Sequence, residues 1–259
     1  MKIHFFKYQA TGNDFVVING DEQSFSPTPE ILKQICDRRF GVGADGVIIL
    51  KRHKDFDFEV LYYNPDGSES LCGNGTRAAI RFAQSLGLIK GESTHFLAFD
   101  GPHDAHILSD GDIRLQMNSV SEIKQFDEGV FMNTGSPHLV RFVPDLDATD
   151  VMGVGRQLRY ETPVEGGTNV NFVEMKEPGK IRVRTYERGV ENETLSCGTG
   201  VTACALATSL KNGMHNMEII TKGGKLRVDF INSPEKGFDQ VHLTGPAERV
   251  FEGNYFLKG

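Results

Sequence analysis

The chain has 259 residues, 39% of them hydrophobic and 24% charged, which is enough for a sizeable core and lies outside the composition of a disordered chain. Its 28 Lys and Arg against 35 Asp and Glu give a formal net charge of -7 with no basic run, so no nucleic acid partner is expected. No apolar run approaches the roughly 18 residues of a membrane span, and MKIHFFKYQATGNDF lacks the apolar centre of a signal peptide, so a cytoplasmic protein without a membrane partner is expected.

In chain order, the first marked segment is Thr11-Gly12-Asn13-Asp14-Phe15-Val16-Val17. A helical pattern follows over residues 29–39, and Cys36 falls inside it. At Cys72-Gly73-Asn74-Gly75-Thr76 a glycine-rich string opens an alanine-rich helical pattern over residues 74–86. Asp100-Gly101-Pro102 and Asp110-Gly111 are turn signals, and Ile113-Arg114-Leu115-Gln116-Met117 alternates as a half-buried strand does. The polar stretch over residues 119–129 reads as a junction. Beyond it, Thr134-Gly135-Ser136-Pro137-His138-Leu139-Val140 repeats the T-G-x-x-x-x-V of the N-terminal segment. Pro178-Gly179 marks a turn before the alternating Ile181-Arg182-Val183-Arg184, and the acidic stretch over residues 191–193 reads as a solvated loop that closes on a ligand. Cys197-Gly198-Thr199-Gly200-Val201 then opens a helical pattern over residues 200–211, which holds Cys204. Gly223-Gly224 and the alternating Leu226-Arg227-Val228-Asp229-Phe230 end the series.

Two strings therefore recur in the same order. A T-G segment precedes a C-G-x-G helix start twice, at nearly equal separations (Thr11 to Cys72 and Thr134 to Cys197), which points to two pseudo-equivalent halves. Frequent hairpin signals and few helices make the fold class α+β with mixed, mainly antiparallel sheets, not a βαβ dinucleotide fold. The four cysteines contain no CxxC pair, so they form neither a disulfide scaffold nor a zinc ribbon.

The chemistry follows from the repeat. A thiol just before the first turn of a helix sits at the positive end of the dipole, which favours thiolate. The glycines beside it bare backbone N–H groups that can hold a carboxylate. Two such thiols on opposite sides of one carbon could remove a proton with one sulfur and return it with the other, which is racemisation or epimerisation. A Cys/His nucleophile using His138 is the competing arrangement, but it leaves the second C-G-x-G without a role. Cys36 and Cys204, without flanking glycines, read as core residues. His103 and His106 have the spacing of a weak metal pair but no further ligands nearby, so no metal is expected.

The chain resembles the diaminopimelate epimerase family through a series of segments in family order. They are Thr11-Gly12-Asn13-Asp14-Phe15, Arg39-Phe40-Gly41-Val42-Gly43-Ala44-Asp45, Tyr63-Asn64-Pro65-Asp66-Gly67-Ser68-Glu69 running into Cys72-Gly73-Asn74-Gly75, Gly135-Ser136-Pro137-His138, Val170-Asn171-Phe172, Tyr186-Glu187-Arg188-Gly189 and Cys197-Gly198-Thr199-Gly200. The resemblance implies cofactor-independent interconversion of LL- and meso-2,6-diaminopimelate, without pyridoxal phosphate or metal, in lysine and peptidoglycan precursor synthesis. It implies two β-barrel-like halves, each around a central helix, with the active site in the cleft between them. The halves are expected to span residues 1–118, joined by a C-terminal strand over 249–259, and residues 119–248. By motif position, Cys72 and Cys197 are the acid/base thiols. Asn13, Asn64, Asn171, Glu187 and Arg188 are implied substrate contacts, Gly73-Asn74 and Gly198-Thr199 the anion cradles, and His138 with Glu187 the groups that tune the thiols.

Two positions depart from the family. Several members carry Gln where this chain has Gly46 and Asn where it has Ser136, so the side-chain contact is absent at Gly46 and a shorter hydroxyl replaces the amide at Ser136. Related racemase-type enzymes acting on proline or hydroxyproline, or a phenazine-type isomerase, are the alternative within the same superfamily. The Glu187-Arg188 pair and the set of Asn residues favour diaminopimelate, because a cyclic imino acid has no distal zwitterion. A binding module that lost the chemistry would not need both cysteines. A homodimer is a family expectation only.

Overall fold

In the computed structural model residues 1–257 are described apart from 24, 71 and 234, so the last two residues of the expected C-terminal strand lie outside the described residues. The chain divides into two compact units, one built from Met1–Leu115 with the residues from Gly245 onward, the other from Gln116–Thr244. The first carries β1 (Lys2–Ala10), β2 (Asn13–Asn19), α1 (Pro29–Cys36), β3 (Gly46–Lys51), β4 (Glu59–Tyr63), α2 (Gly73–Ser85), β5 (Ser93–Ala98), β6 (Gly101–Ile107) and β7 (Ile113–Gln116, which crosses the boundary). The second carries β8 (Ile123–Phe126), β9 (Gly129–Asn133), β10 (Pro137–Phe142), α3 (Val151–Glu161), β11 (Asn169–Glu177), β12 (Lys180–Glu187), β13 (Asn192–Thr194), α4 (Gly198–Asn212), β14 (Asn216–Thr221), β15 (Gly224–Ser233) and β16 (Gly237–Gly245). The last strand, β17 (Glu248–Phe256), pairs antiparallel with β1.

Both units have the same topology. Followed by pairing, β17, β1, β2, β3, β4, β5, β6 and β7 join in the senses antiparallel, antiparallel, parallel, antiparallel, parallel, antiparallel, antiparallel. The series β8, β9, β10, β11, β12, β14, β15 and β16 follows the identical sequence of senses. In each unit the two parallel pairings are the ones bridged by helices, α1 and α2 in the first, α3 and α4 in the second, because a parallel pair needs a crossover that a tight hairpin cannot supply. The α+β class and the two pseudo-symmetric halves read from the sequence are thus present, and the short repeated strings are the trace of a duplicated fold. The turn signals at Gly101, with φ 125°, and Gly179, with φ 74°, close the β5–β6 and β11–β12 hairpins in backbone that favours glycine.

Helix ends differ from the limits of the sequence patterns. The pattern over 29–39 stops at Cys36, because Asp37 takes an extended conformation and its Oδ1 accepts the N–H groups of Arg39 and Phe40, both at 2.7 Å. Helix α3 has no counterpart among the helical patterns of the sequence. Its Gly153 and Gly155 mimic a loop, yet Asp150 caps it by accepting the Gly153 N–H at 2.8 Å, and at Gly155 a Cβ would lie 2.6 Å from Tyr186 Cβ. The glycine lets the helix close on β12. Its signal was the repeat, since α3 follows Thr134 as α1 follows Thr11.

The helices α2 and α4 are central. Residues Gly73 to Ala83 of α2 are buried except Arg81, and every residue of α4 from Gly198 to Ser209 is buried. Small side chains on all sides allow strands to approach each helix from several directions. Phe82 anchors α2, with ring centroids 4.8 Å from Phe6 and 5.8 Å from Tyr8, and truncating it to Ala would cost about 3 kcal/mol or more.

Candidate active site at two equivalent helix starts

Both helical patterns that follow C-G-x-G begin earlier than the sequence suggested, so the glycines form the first turn and each cysteine is the N-cap. Cys72 and Cys197 hold nearly the same extended backbone, φ -119° ψ 105° and φ -123° ψ 113°. Each cysteine thus stands at the N-terminal end of a buried helix, where a thiolate is favoured, but only the Cys72 sulfur accepts a helix N–H; Cys197 makes no side-chain cap hydrogen bond.

At the first site, Cys72 Sγ accepts the Gly75 N–H at 3.4 Å and donates to Asn13 Oδ1 at 3.8 Å. Asn13 is fixed from two sides. Asn74 Nδ2 donates to its Oδ1 at 3.2 Å, and its own Nδ2 donates to Asp45. Arg77, a donor only, reaches Asn74 Oδ1 at 3.0 Å, while the Asp45 carboxylate is an acceptor only, so both amide orientations follow from the ends of the chain. Below this row, Lys7 pairs with Asp14 at 2.6 Å, and Arg38 bridges Asp14 and Asp45. Burial opposes ionisation of Asp14, but the Arg38 and Lys7 contacts outweigh it and hold its carboxyl down at about 2. Asp45 goes the other way, raised by burial and by the Asp14 charge.

At the second site, Cys197 Sγ lies 3.5 Å from Thr199 Oγ1, which is 2.9 Å from His138 Nε2. Ser136 Oγ is 2.9 Å from the same nitrogen and 3.1 Å from Thr199 Oγ1. Asn171 Nδ2 donates to Leu139 O at 3.2 Å and to His138 Nδ1 at 3.0 Å, and its Oδ1 accepts from Thr185 at 2.9 Å. His138 is fully buried, and burial, with the Arg188 charge adding to it, pushes its imidazole down to about 3. It is a neutral ring.

The strand registers make the two floors directly comparable. Phe15, Ile48 and Tyr62 occupy in the first unit the places that His138, Asn171 and Thr185 occupy in the second. A Cβ on Gly75 would meet Tyr62 at 3.3 Å and Phe15 at 3.4 Å; one on Gly200 would meet Asn171 Oδ1 at 2.5 Å and His138 at 3.2 Å. The first turn of α2 thus packs on aromatic rings and that of α4 on hydrogen-bonding side chains.

The remaining sequence candidates fall as follows. Gly73 and Asn74, and Gly198 and Thr199, open the first turns of α2 and α4. Asn64 staples the turn after β4, donating to Ser68 O and Ser70 Oγ at 3.2 Å each and accepting from Tyr62 OH at 3.2 Å. Glu187 ends β12 opposite Asn192. The Arg188 backbone N–H donates to Asn169 Oδ1 at 2.8 Å. Gly46 has no room for a side chain, since a Cβ would lie 2.6 to 2.8 Å from the Tyr62 ring and hydroxyl.

Sequence reasoning missed Arg77, Asn169 and Tyr62. Asn169 bonds Pro137 O at 2.9 Å and so ties the His138 strand to the Arg188 turn. Its signal was its place two residues before Asn171 on one strand face. The 191–193 stretch is not a solvated loop. Glu191 accepts from Arg159, Tyr160, Tyr186 and the Gly189 N–H, and Glu193 is clamped by Arg184 and Lys222. Cys36 and Cys204 are buried, and burial pushes the first thiol to about 11 and the second well above the usual range. His103 and His106 point to opposite faces of β6, one buried and one exposed, and no cluster of three metal-ligating side chains exists among the described residues.

The family model described as diaminopimelate epimerase matches residues 5–123 and 130–250, which takes in both helix starts. The chain belongs to the diaminopimelate epimerase family. A diaminopimelate epimerase of Flavobacterium psychrophilum is 46% identical over 252 residues, covering 95% of this chain and 98% of the relative. Another of Aquifex aeolicus is 37% identical, with 97% of each chain covered. Epimerases are isomerases, and the family membership makes this chain an isomerase of that kind. Among solved structures, a Bacillus anthracis phenazine biosynthesis protein of the PhzF family superposes with TM-score 0.78 at 18% identity over 99% of this chain and 100% of that one. A hydroxyproline epimerase from Agrobacterium vitis gives 0.72 at 15% identity, over 98% and 92%. These two show a shared fold.

Proposed function

We propose that this chain interconverts LL- and meso-diaminopimelate with Cys72 and Cys197 as the two acid/base groups. One observation carries the reading: the only two cysteines at helix N-caps among the described residues stand at equivalent places of a duplicated fold. A thiolate removes the α-proton and the opposite thiol supplies a proton to the other face, so the enzyme leaves each turnover with its proton moved from one sulfur to the other. In this reading the substrate carboxylates rest on the N–H groups of Gly73-Asn74 and Gly198-Thr199. Asn13 and Asn64 supply directional contacts, whereas Asn171, fully buried with its amide committed to Leu139, His138 and Thr185, positions His138 and does not reach a substrate; Arg188 and Glu187 bind a carboxylate and an ammonium group, and neutral His138 with Glu187 tunes the thiols. For Asn64, substrate contact competes with the turn bonds that it already makes.

The reaction needs neither pyridoxal phosphate nor metal in this account, so hydroxylamine and EDTA are expected to leave it unaffected. A cytoplasmic homodimer fits the reading, which sedimentation would test.

Incubation with LL-diaminopimelate in deuterated water tests the central claim. Deuterium at one α-carbon with conversion to the meso form is expected, and its loss in Cys72→Ala and in Cys197→Ala. Absence of exchange in the reduced, folded protein, or full turnover in either variant, refutes it.

A further inference from the structure

Arg159 lies in the last turn of α3, and its side chain is mostly buried. It reaches into two turns at once. Its Nε donates to Glu191 Oε1 at 3.1 Å, and its Nη1 donates to Gly166 O at 2.9 Å. A planar guanidinium can span two acceptors on separate segments in this way, whereas an ammonium group is a single point of charge. Gly167, with φ 72°, lets the chain close on it, because a Cβ there would collide with Arg159 Nη1 and with the Arg159 carbonyl oxygen.

Both turns bear on Arg188. A Cβ on Gly166 would lie 3.4 Å from Arg188 Nη1, so the Arg188 guanidinium passes close over that glycine. On the other turn, the Gly189 N–H donates to Glu191 Oε1 at 3.0 Å, the oxygen that also takes Arg159 Nε. The second oxygen, Oε2, accepts from Tyr160 OH and Tyr186 OH at 3.2 Å each, and the Glu191 N–H closes the turn on Glu187 O at 2.8 Å. Four donors converge on this one carboxylate, which leaves it few alternative positions.

We propose that Arg159 is a positioning residue for Arg188: by clamping the glycine turn and the Glu191 turn it holds the Arg188 guanidinium ready for a substrate carboxylate. This role rests on the reading of Arg188 as a substrate contact. A long side chain on a turn loses affinity to the ordering that it undergoes on binding, and a scaffold that orders it beforehand removes that cost. The carboxylate bears its charge before and after the α-proton moves, so a misplaced Arg188 weakens binding and spares the chemical step.

Kinetics of the Arg159→Met enzyme with LL-diaminopimelate test this. KM is expected to rise about tenfold with kcat within about threefold of the parent. A loss of folded protein alone would do the reverse, lowering the apparent kcat at constant KM, and that pattern overturns the proposal. In the enzyme carrying both Arg159→Met and Arg188→Met, kcat/KM should match that of Arg188→Met alone to within about twofold, because the clamp then has nothing left to place. Additive losses overturn it. If Arg159→Met does not fold, Glu191→Gly removes the same clamp from the side of the turn and should show the same rise in KM; an unchanged KM there overturns the proposal. A parent protein inactive on diaminopimelate would refute the proposed function and not the clamp, which amide hydrogen exchange of residues 188–191 without substrate then decides. Exchange is expected to be about tenfold faster in Arg159→Met than in the parent, and an unchanged rate overturns the proposal.

Discussion

The Asn171 amide nitrogen lies 3.0 Å from His138 Nδ1, and the direction of that hydrogen bond fixes the state of the histidine. Leu139 O can only accept, so the atom facing it at 3.2 Å is Nδ2; that group then also donates to Nδ1, which must carry a lone pair. The proton is on Nε2 and points at Ser136 and Thr199. Thr199, having accepted it, can turn its own hydrogen toward Cys197. A polar row thus runs from the strand backbone to the second sulfur.

His138 should consequently show the neutral Nε2–H tautomer in nitrogen-15 NMR across pH 5 to 8, and an imidazolium signal near pH 6.5 would contradict the assignment. Its folded value of about 3 lies below the ~6.5 of an unfolded histidine, so the unfolded chain binds the extra proton. The resulting stability is complete above about pH 6.5 and is lost as pH falls toward 3, with a slope of at most about 1.4 kcal/mol per unit. Urea titrations of His138→Gln should lack that contribution. An unchanged acid limb would count against it.

The two C-G-x-G glycines should respond unequally to Ala. At Gly200 the new Cβ meets Asn171 Oδ1 at 2.5 Å and must displace the amide that holds His138, so a loss of about 1 to 3 kcal/mol and a fall in kcat of tenfold or more are expected. At Gly75 the nearest contacts are 3.3 to 3.4 Å from aromatic rings and the Cys72 Cβ, which need shift only slightly. Equal losses of stability in the two variants would contradict the difference between the floors.

Lys7→Met should be strongly destabilising. It removes the 2.6 Å partner of the mostly buried Asp14 carboxylate, and breaking such a pair costs about 3 kcal/mol. Because the folded Asp14 value of about 2 lies below the ~3.9 of an unfolded Asp, its stabilisation is present above about pH 4 and lost as pH falls toward 2. The variant should therefore lose stability at neutral pH and show a weaker acid dependence in that window. A change under 1 kcal/mol by urea unfolding would mean that Arg38 alone suffices.

Glu191 has φ 55° and organises the turn that carries Arg188. Glycine accepts that backbone without strain, so Glu191→Gly reports on the carboxylate alone. Trypsin should cut after Arg188 several-fold faster in this variant than in the parent. Equal rates would show that the turn does not depend on the carboxylate.

Much of this was legible in the chain. The T-G and C-G-x-G strings survive as a repeat because both mark places where backbone must come close or turn sharply, at Thr11-Gly12 with φ 50° and 84° and at the first turns of α2 and α4. Hairpins declared themselves through Gly101 and Gly179 for the same local reason. Helix α3 did not, because its glycines serve packing against Tyr186, and packing partners distant in sequence leave no periodic signal.

The sequence by itself determined the duplication, the two cysteines at helix starts and the family, since each of these is written in short-range residue order. Tertiary structure decided what each sulfur faces. That Arg77 is fully buried, that Tyr62 fills the space at Gly46, and that His138 is neutral depend on strand register and burial. Those are properties of pairings across the fold, such as Ile48 with Tyr62 and Asn171 with Thr185, and no local stretch of chain encodes them.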